Sequence, residues 1–183
     1  MKTRTLLSAL IVLICFGCAT PKFYPEVISA YSLARQVDSV PKLTLTTHKI
    51  ILRKLKEELK NVDHIIYLYS PYPEWNSKKF SGVVYDVDNK RYYYFKNSKE
   101  HPRKLSVTEN YPYPNDNYYK FAIDNFRKGR IDYLKKLGKA SNLSGIRTTT
   151  VIYDINLKKG TNKRYTFQDF LFMNGKPTTD VEE

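Results

Sequence analysis

Cysteine is almost missing from this chain: its 183 residues include two, Cys15 and Cys18, both near the start. Beyond residue 18, therefore, no disulfide, cysteine nucleophile or thiolate metal site is available. Histidine is nearly as scarce. His48, His64 and His101 show no HExxH, HxH or other metal-ligand spacing. Glycine totals 7 and nowhere clusters, which excludes a phosphate loop, a dinucleotide fingerprint and a Gly-x-Ser-x-Gly nucleophile elbow. Long apolar runs are lacking too, since the stretch 6–16 falls short of the roughly 20 residues that cross a bilayer. No cofactor, metal site or catalytic residue is expected from these patterns. A hydrolase built from scattered acids and tyrosines stays open, because acid–base work needs only two groups brought together by the fold.

What the chain has in excess is positive charge and tyrosine. Thirty-one Lys and Arg against 18 Asp and Glu give +13, and 16 residues are Tyr. Such a surface attracts anionic partners, among them lipid head groups, lipopolysaccharide phosphates and acidic glycans. The basic residues are dispersed as Lys-Lys or Lys-Arg pairs, so no nucleic-acid partner is expected. The plainer reading of the charge is a well-hydrated surface.

Residues 1–18, MKTRTLLSALIVLICFGC, carry a basic start (Lys2, Arg4), an apolar core and then Gly17-Cys18. This resembles a bacterial lipoprotein signal peptide, in which a small residue precedes the cysteine that is lipidated and becomes N-terminal. Cys15 stands where Leu is usual, and Phe16 is bulkier than typical. The resemblance covers these 18 residues alone. It implies cleavage after Gly17, lipidation of Cys18 and, with Ala19 following, anchoring in the outer membrane. An ordinary signal peptide cut near Ala19 and an uncleaved apolar anchor are the alternatives. Acylation buries about 0.8 kcal/mol per methylene, and stable anchoring takes more than one chain.

On this reading residues 1–17 are a signal peptide, 18–25 a lipidated tether, 26–175 a single α+β domain and 176–183 a frayed tail. Within the domain, helices are expected over 26–37 and, from a Thr47 cap, over 47–61, where Ile51, Leu52, Leu55, Leu59 and Val62 form an apolar stripe. Residues 42–46 fit a short strand or an early turn of that helix. The nearly continuous apolar run 64–69 fits a strand covered on both faces. A helix over 118–137 is capped by Asp116 or Asn117, stopped by Gly138 and bent or broken at Gly129.

Two hairpins are expected, in GVVYDVDNKRYYYFK (82–96) and VIYDINLKKGTNKRYTF (151–167). A two-residue Asp88-Asn89 turn in the first pairs Val87 with Lys90, Asp86 with Arg91, Tyr85 with Tyr92 and Val83 with Tyr94. A three-residue Lys158-Lys159-Gly160 loop in the second pairs Asp154 with Arg164, Tyr153 with Tyr165 and Val151 with Phe167. The rungs then match, as in an internal repeat, although any two Tyr- and Val-rich hairpins look alike. The expected fold is α+β: an antiparallel sheet of both hairpins plus the 64–69 strand, packed on one face by the helices near 47–61 and 118–137. Two helix-plus-hairpin repeats side by side are the alternative.

Two loops carry Pro-Tyr-Pro, placing Tyr72 near Trp75 and Tyr113 near Tyr111. Proline stiffens these loops and lowers the entropy lost on binding. Flat amphipathic rings suit sugars or protein partners. Tyr72, Trp75, Tyr111 and Tyr113 are thus the candidate binding residues, with rings folded back over the core as the plain alternative. The function expected is a lipid-anchored envelope protein binding a partner protein or glycan; an envelope hydrolase and a structural assembly subunit are the alternatives.

Overall fold

In the computed structural model, residues 20–35, 42–71, 80–97, 104–141, 149–179 and 181 are described. Cys18, Tyr72, Trp75 and His101 lie outside them. The elements are α1 (Tyr24–Arg35), α2 (Lys42–Lys54), β1 (His64–Pro71), β2 (Phe80–Asp86), β3 (Arg91–Asn97), β4 (Leu105–Thr108), a 3-10 turn (Pro114–Asp116), α3 (Tyr118–Arg127), α4 (Ile131–Ala140), β5 (Thr149–Asn156), β6 (Thr161–Gln168) and a small pair, β7 (Phe172–Met173) with β8 (Lys176–Pro177). Six strands form an antiparallel sheet in the order β4-β3-β2-β1-β5-β6. The fold is α+β, as the sequence predicts.

β1 is the centre of this sheet, with one hairpin on each side. Its side chains alternate between two separate cores. Ile65 and Tyr67 meet Phe23 and Val27 of α1 and Ile51, Leu52 and Leu55 of α2. Ile66 and Leu68 meet Ala122 and Ile123 of α3 and Leu134 and Leu137 of α4. The helices therefore cover both faces, not the single face expected. A central strand with an unbroken run of apolar and aromatic residues from Ile65 to Tyr69 requires this, because helices on one face would leave Ile66 and Leu68 against water.

The first hairpin keeps its expected register, pairing Asp86 with Arg91, Tyr85 with Tyr92 and Val83 with Tyr94. Its turn is longer than two residues. Positive φ falls on Lys90 (58°), not on Asp88 or Asn89, so Val87 and Lys90 are not a rung. The second hairpin is shifted by one: Asp154 pairs with Lys163, Tyr153 with Arg164 and Val151 with Thr166. Its loop has four residues, ending on Gly160 at φ 62°. A one-residue slip changes which face each partner occupies. Tyr165 and Phe167 consequently pack with α3 and α4, while Tyr153 stacks on Tyr67 in the opposite core, centroids 5.6 Å apart.

The equivalence between the hairpins lies in the turns. Asp86 Oδ1 accepts from Asn89 N at 3.0 Å, and Asn156 Oδ1 accepts from Lys159 N at 2.9 Å. Val87 N donates to His64 O and Leu157 N to Asp63 O, so both turns lean on the start of β1. Asp88 Oδ2 adds bonds from Asp63 N (2.7 Å) and His64 N (3.1 Å). Asp86 thus serves its turn, and Asp154 pairs with His64 Nε2 at 2.7 Å instead of with Arg164.

Among the helices, α2 takes in residues 42–46 as its early turn, so Thr47 is buried inside it and not its cap, and it ends at Lys54 instead of near residue 61. Asn117 Oδ1 caps α3 by accepting from Lys120 N at 2.9 Å. α3 and α4 are separate: Gly129 (φ 77°) ends α3, with Arg130 N bonded to Asn125 O and Gly129 N to Phe126 O, the paired bonds of a glycine-terminated helix. Gly138 does not stop α4 but lies buried within it. Lys176 and Pro177 pair with β7 across the two-residue Asn174-Gly175 turn, both at positive φ, so this part of the expected tail is ordered.

Candidate functional site

At one edge of the second core, β3, β4 and the segment leading into α3 enclose a groove of about 580 Å³. Its rings come from Tyr94 on β3, Tyr111 and Tyr113 in the Pro-Tyr-Pro segment, and Tyr119 on α3, while the neighbouring Phe95 turns its ring into the opposite core. Tyr111 sits 5.0 Å from Tyr94 and 5.9 Å from Tyr119 by ring centroids, which fixes it as a wall. Tyr113 leans edge-on to Tyr111 at 6.5 Å and is 68% exposed. Two prolines, Pro112 and Pro114, bracket that exposed ring and restrict its backbone. Beside the rings stand Ser81, Asn97, Ser106, Thr108 and Asn110, which set hydroxyl and amide groups against aromatic surface, and one cation, Lys96.

Sequence reasoning placed Tyr111 and Tyr113 at a binding surface, and the structure puts both in this one groove. Tyr72 and Trp75 lie outside the described residues. Tyr119 was read only as part of an apolar helix face. In the fold its hydroxyl is 2.6 Å from Ser81 Oγ, and it joins the groove to a second cavity of about 340 Å³. Ser81, Tyr111 and Tyr119 line both spaces.

The second cavity holds a carboxyl that no sequence pattern marked. Asp169 follows β6, and its Oδ1 accepts from Tyr118 OH at 3.0 Å and from Thr150 Oγ1. Because Thr150 spends its one proton there, Ser70 Oγ, 2.5 Å away, is the donor to Thr150. Burial raises Asp169 to about 6, against which the Thr150 and Tyr118 hydrogen bonds act. Tyr118 is pushed well above its usual range by burial and by the neighbouring Asp169. The only signal in the sequence was a lone acid among Phe167, Phe170 and Phe172.

His48 is fully buried on α2, with Nδ1 2.7 Å from Tyr67 OH and its ring edge-on to Tyr67, Tyr69 and Tyr153. Burial, reinforced by the charge of Arg164, lowers it to about 3, so it stays neutral as a satisfied core hydrogen-bonding group. Among the described residues no group of three His, Cys, Asp or Glu could hold a metal ion. Also among them, no helix is long and apolar enough to cross a membrane. No protein-family model, curated protein or solved structure matches the chain.

Proposed function

We propose that this chain is a lipid-anchored protein of the bacterial cell envelope, held at the outer membrane through Cys18, whose folded part binds a glycan in the tyrosine-lined groove. The observation that carries the binding reading is the pairing of ring faces with hydroxyl and amide side chains in a concave space of about 580 Å³. A sugar ring offers an apolar C–H face bordered by hydroxyls, and this lining is complementary to both. A protein hot spot would instead favour a fully desolvated apolar pocket. The tether fits the anchor. From Cys18 to the start of α1 at Tyr24, even an extended chain spans at most about 20 Å, so the folded part would be held close to the membrane surface.

Calorimetric titration with soluble oligosaccharides tests the binding. Tyr113→Ala removes an exposed ring and should weaken the bound sugar about tenfold, roughly 1.4 kcal/mol, without lowering stability. Unchanged affinity, or release of shortened sugars on long incubation, would sink the reading. The anchor is tested by Cys18→Ser: membrane fractions should lose the protein, and undiminished retention would defeat lipidation.

A further inference from the structure

We propose that the cavity beside the groove is an ammonium subsite, with Asp169 as the counter-ion for a free amino group on the bound sugar. This rests on the glycan reading of the groove and narrows it to amino sugars. The first support is charge. In a chain of +13, the residues lining this cavity include two acids, Asp116 and Asp169, and no Lys or Arg. Asp169 forms no ion pair among the described residues. A buried carboxylate without a counter-charge is costly, and a bound cation relieves that cost.

The second support is geometry. Both hydroxyl donors, Thr150 Oγ1 and Tyr118 OH, go to Oδ1. Oδ2 has no hydrogen bond among the described residues, which leaves it as acceptor for a charge-assisted bond. Ser70, donating through Thr150, fixes the hydroxyl that fixes the carboxyl. Tyr118, Tyr119, Phe170 and Phe172 line the same space, and aromatic faces stabilise a desolvated cation. Because Ser81, Tyr111 and Tyr119 border both spaces, a sugar lying on the groove rings can extend a substituent into the cavity.

A purely structural role for Asp169 makes a different forecast. Accepting two hydroxyl protons needs an oxygen and no charge, so Asn would serve as well. Binding an ammonium needs the charge. The groups lining the cavity around Asp169 are Tyr118 and Tyr119 from α3, Tyr111 from the segment before it, Asp116 from the 3-10 turn and the non-titrating Ser70 and Ser81, with Thr150 of β5 bonded to Asp169 itself. With Tyr118 held far above neutrality, Asp169 is the group whose ionisation would set the pH profile near 6.

The test uses two probes, a β-1,4-linked glucosamine tetramer and its fully N-acetylated counterpart, titrated into the protein at pH 7. The free amine should bind at least tenfold more tightly. Asp169→Asn should erase that preference by weakening the amine probe alone, and its thermal midpoint should show that it folds. In the wild-type protein the preference should fall about tenfold per pH unit below 6, a readout that needs no variant. Equal affinity for the two tetramers, or a preference that survives Asp169→Asn, would overturn the subsite while leaving the groove intact. Failure of both tetramers to bind would overturn the groove reading and the subsite together.

Discussion

Replacing Gly138 with Ala should destabilise the protein even though it improves a helix. In an exposed helix interior the exchange gains about 1 kcal/mol. Gly138 is buried, however, where α4 crosses the end of β6. A Cβ there would lie 2.2 Å from Gln168 O, 2.9 Å from Gln168 C and 3.0 Å from Gln168 Cβ. Backbone cannot swing aside as a side-chain tip can, so α4 and the end of β6 must separate by about an ångström. Overpacking of this kind costs up to about 3 kcal/mol. The net loss is then about 2 kcal/mol, or about 4–8 °C in Tm for a chain of this size. Urea unfolding at pH 7 measures it, with Gly129→Ala as the control. At Gly129 a Cβ meets nothing within 4 Å and the cost comes only from φ 77°, about 1–2 kcal/mol. The two variants also part company at the site. Gln168 precedes Asp169, so Gly138→Ala should impair amine binding, whereas Gly129→Ala should not. A Gly138→Ala protein at least as stable as wild type would refute the close approach of α4 to β6, and with it the placement of Asp169.

Two further outcomes concern pH and have opposite signs. His48 takes up its proton at about 3 in the folded chain and near 6.5 unfolded, so stability present above pH 6.5 should decline as pH falls from there toward 3. Its contribution is on the order of 4 kcal/mol, and His48→Gln should flatten that part of a pH-dependent unfolding curve. Asp169 is raised to about 6, so it favours the fold below the unfolded carboxylate pKa and loses that contribution as pH rises through 6. Asp169→Asn should therefore raise stability at pH 7.5 by up to about 3 kcal/mol while erasing the preference for the amine probe. A variant less stable than wild type at pH 7.5 would contradict the assignment of an uncompensated buried carboxylate.

How much of this was legible depended on how locally each feature is determined. The rungs of the first hairpin follow from residues a few positions apart, and Asp86 opposite Arg91 could be counted directly. In the second, one misjudged loop residue moved every later partner to the other face, because composition does not say whether Gly160 closes a loop of three or four. Asn117 announced its cap and Gly129 its break. Gly138 resembled a stop only because its contact, Gln168, lies 30 positions further along. Tyr111 and Tyr113 stood out through their prolines. Asp169 could not, since its surroundings come from Ser70 on β1, Thr150 on β5 and Tyr118 on α3, and only packing brings these together.

The central place of β1 also sets the order of assembly. β2, β3 and β4 follow it closely in the chain and can pair as soon as they are synthesised. Its other side waits for β5, with Tyr67 meeting Tyr153 only across a long intervening stretch. Until then Ile65 to Tyr69 present an open, apolar strand edge, the kind that recruits a neighbouring chain. A chain cut short before Thr149 would keep that edge permanently. It would aggregate, or borrow the β5–β6 hairpin of an intact molecule by exchange.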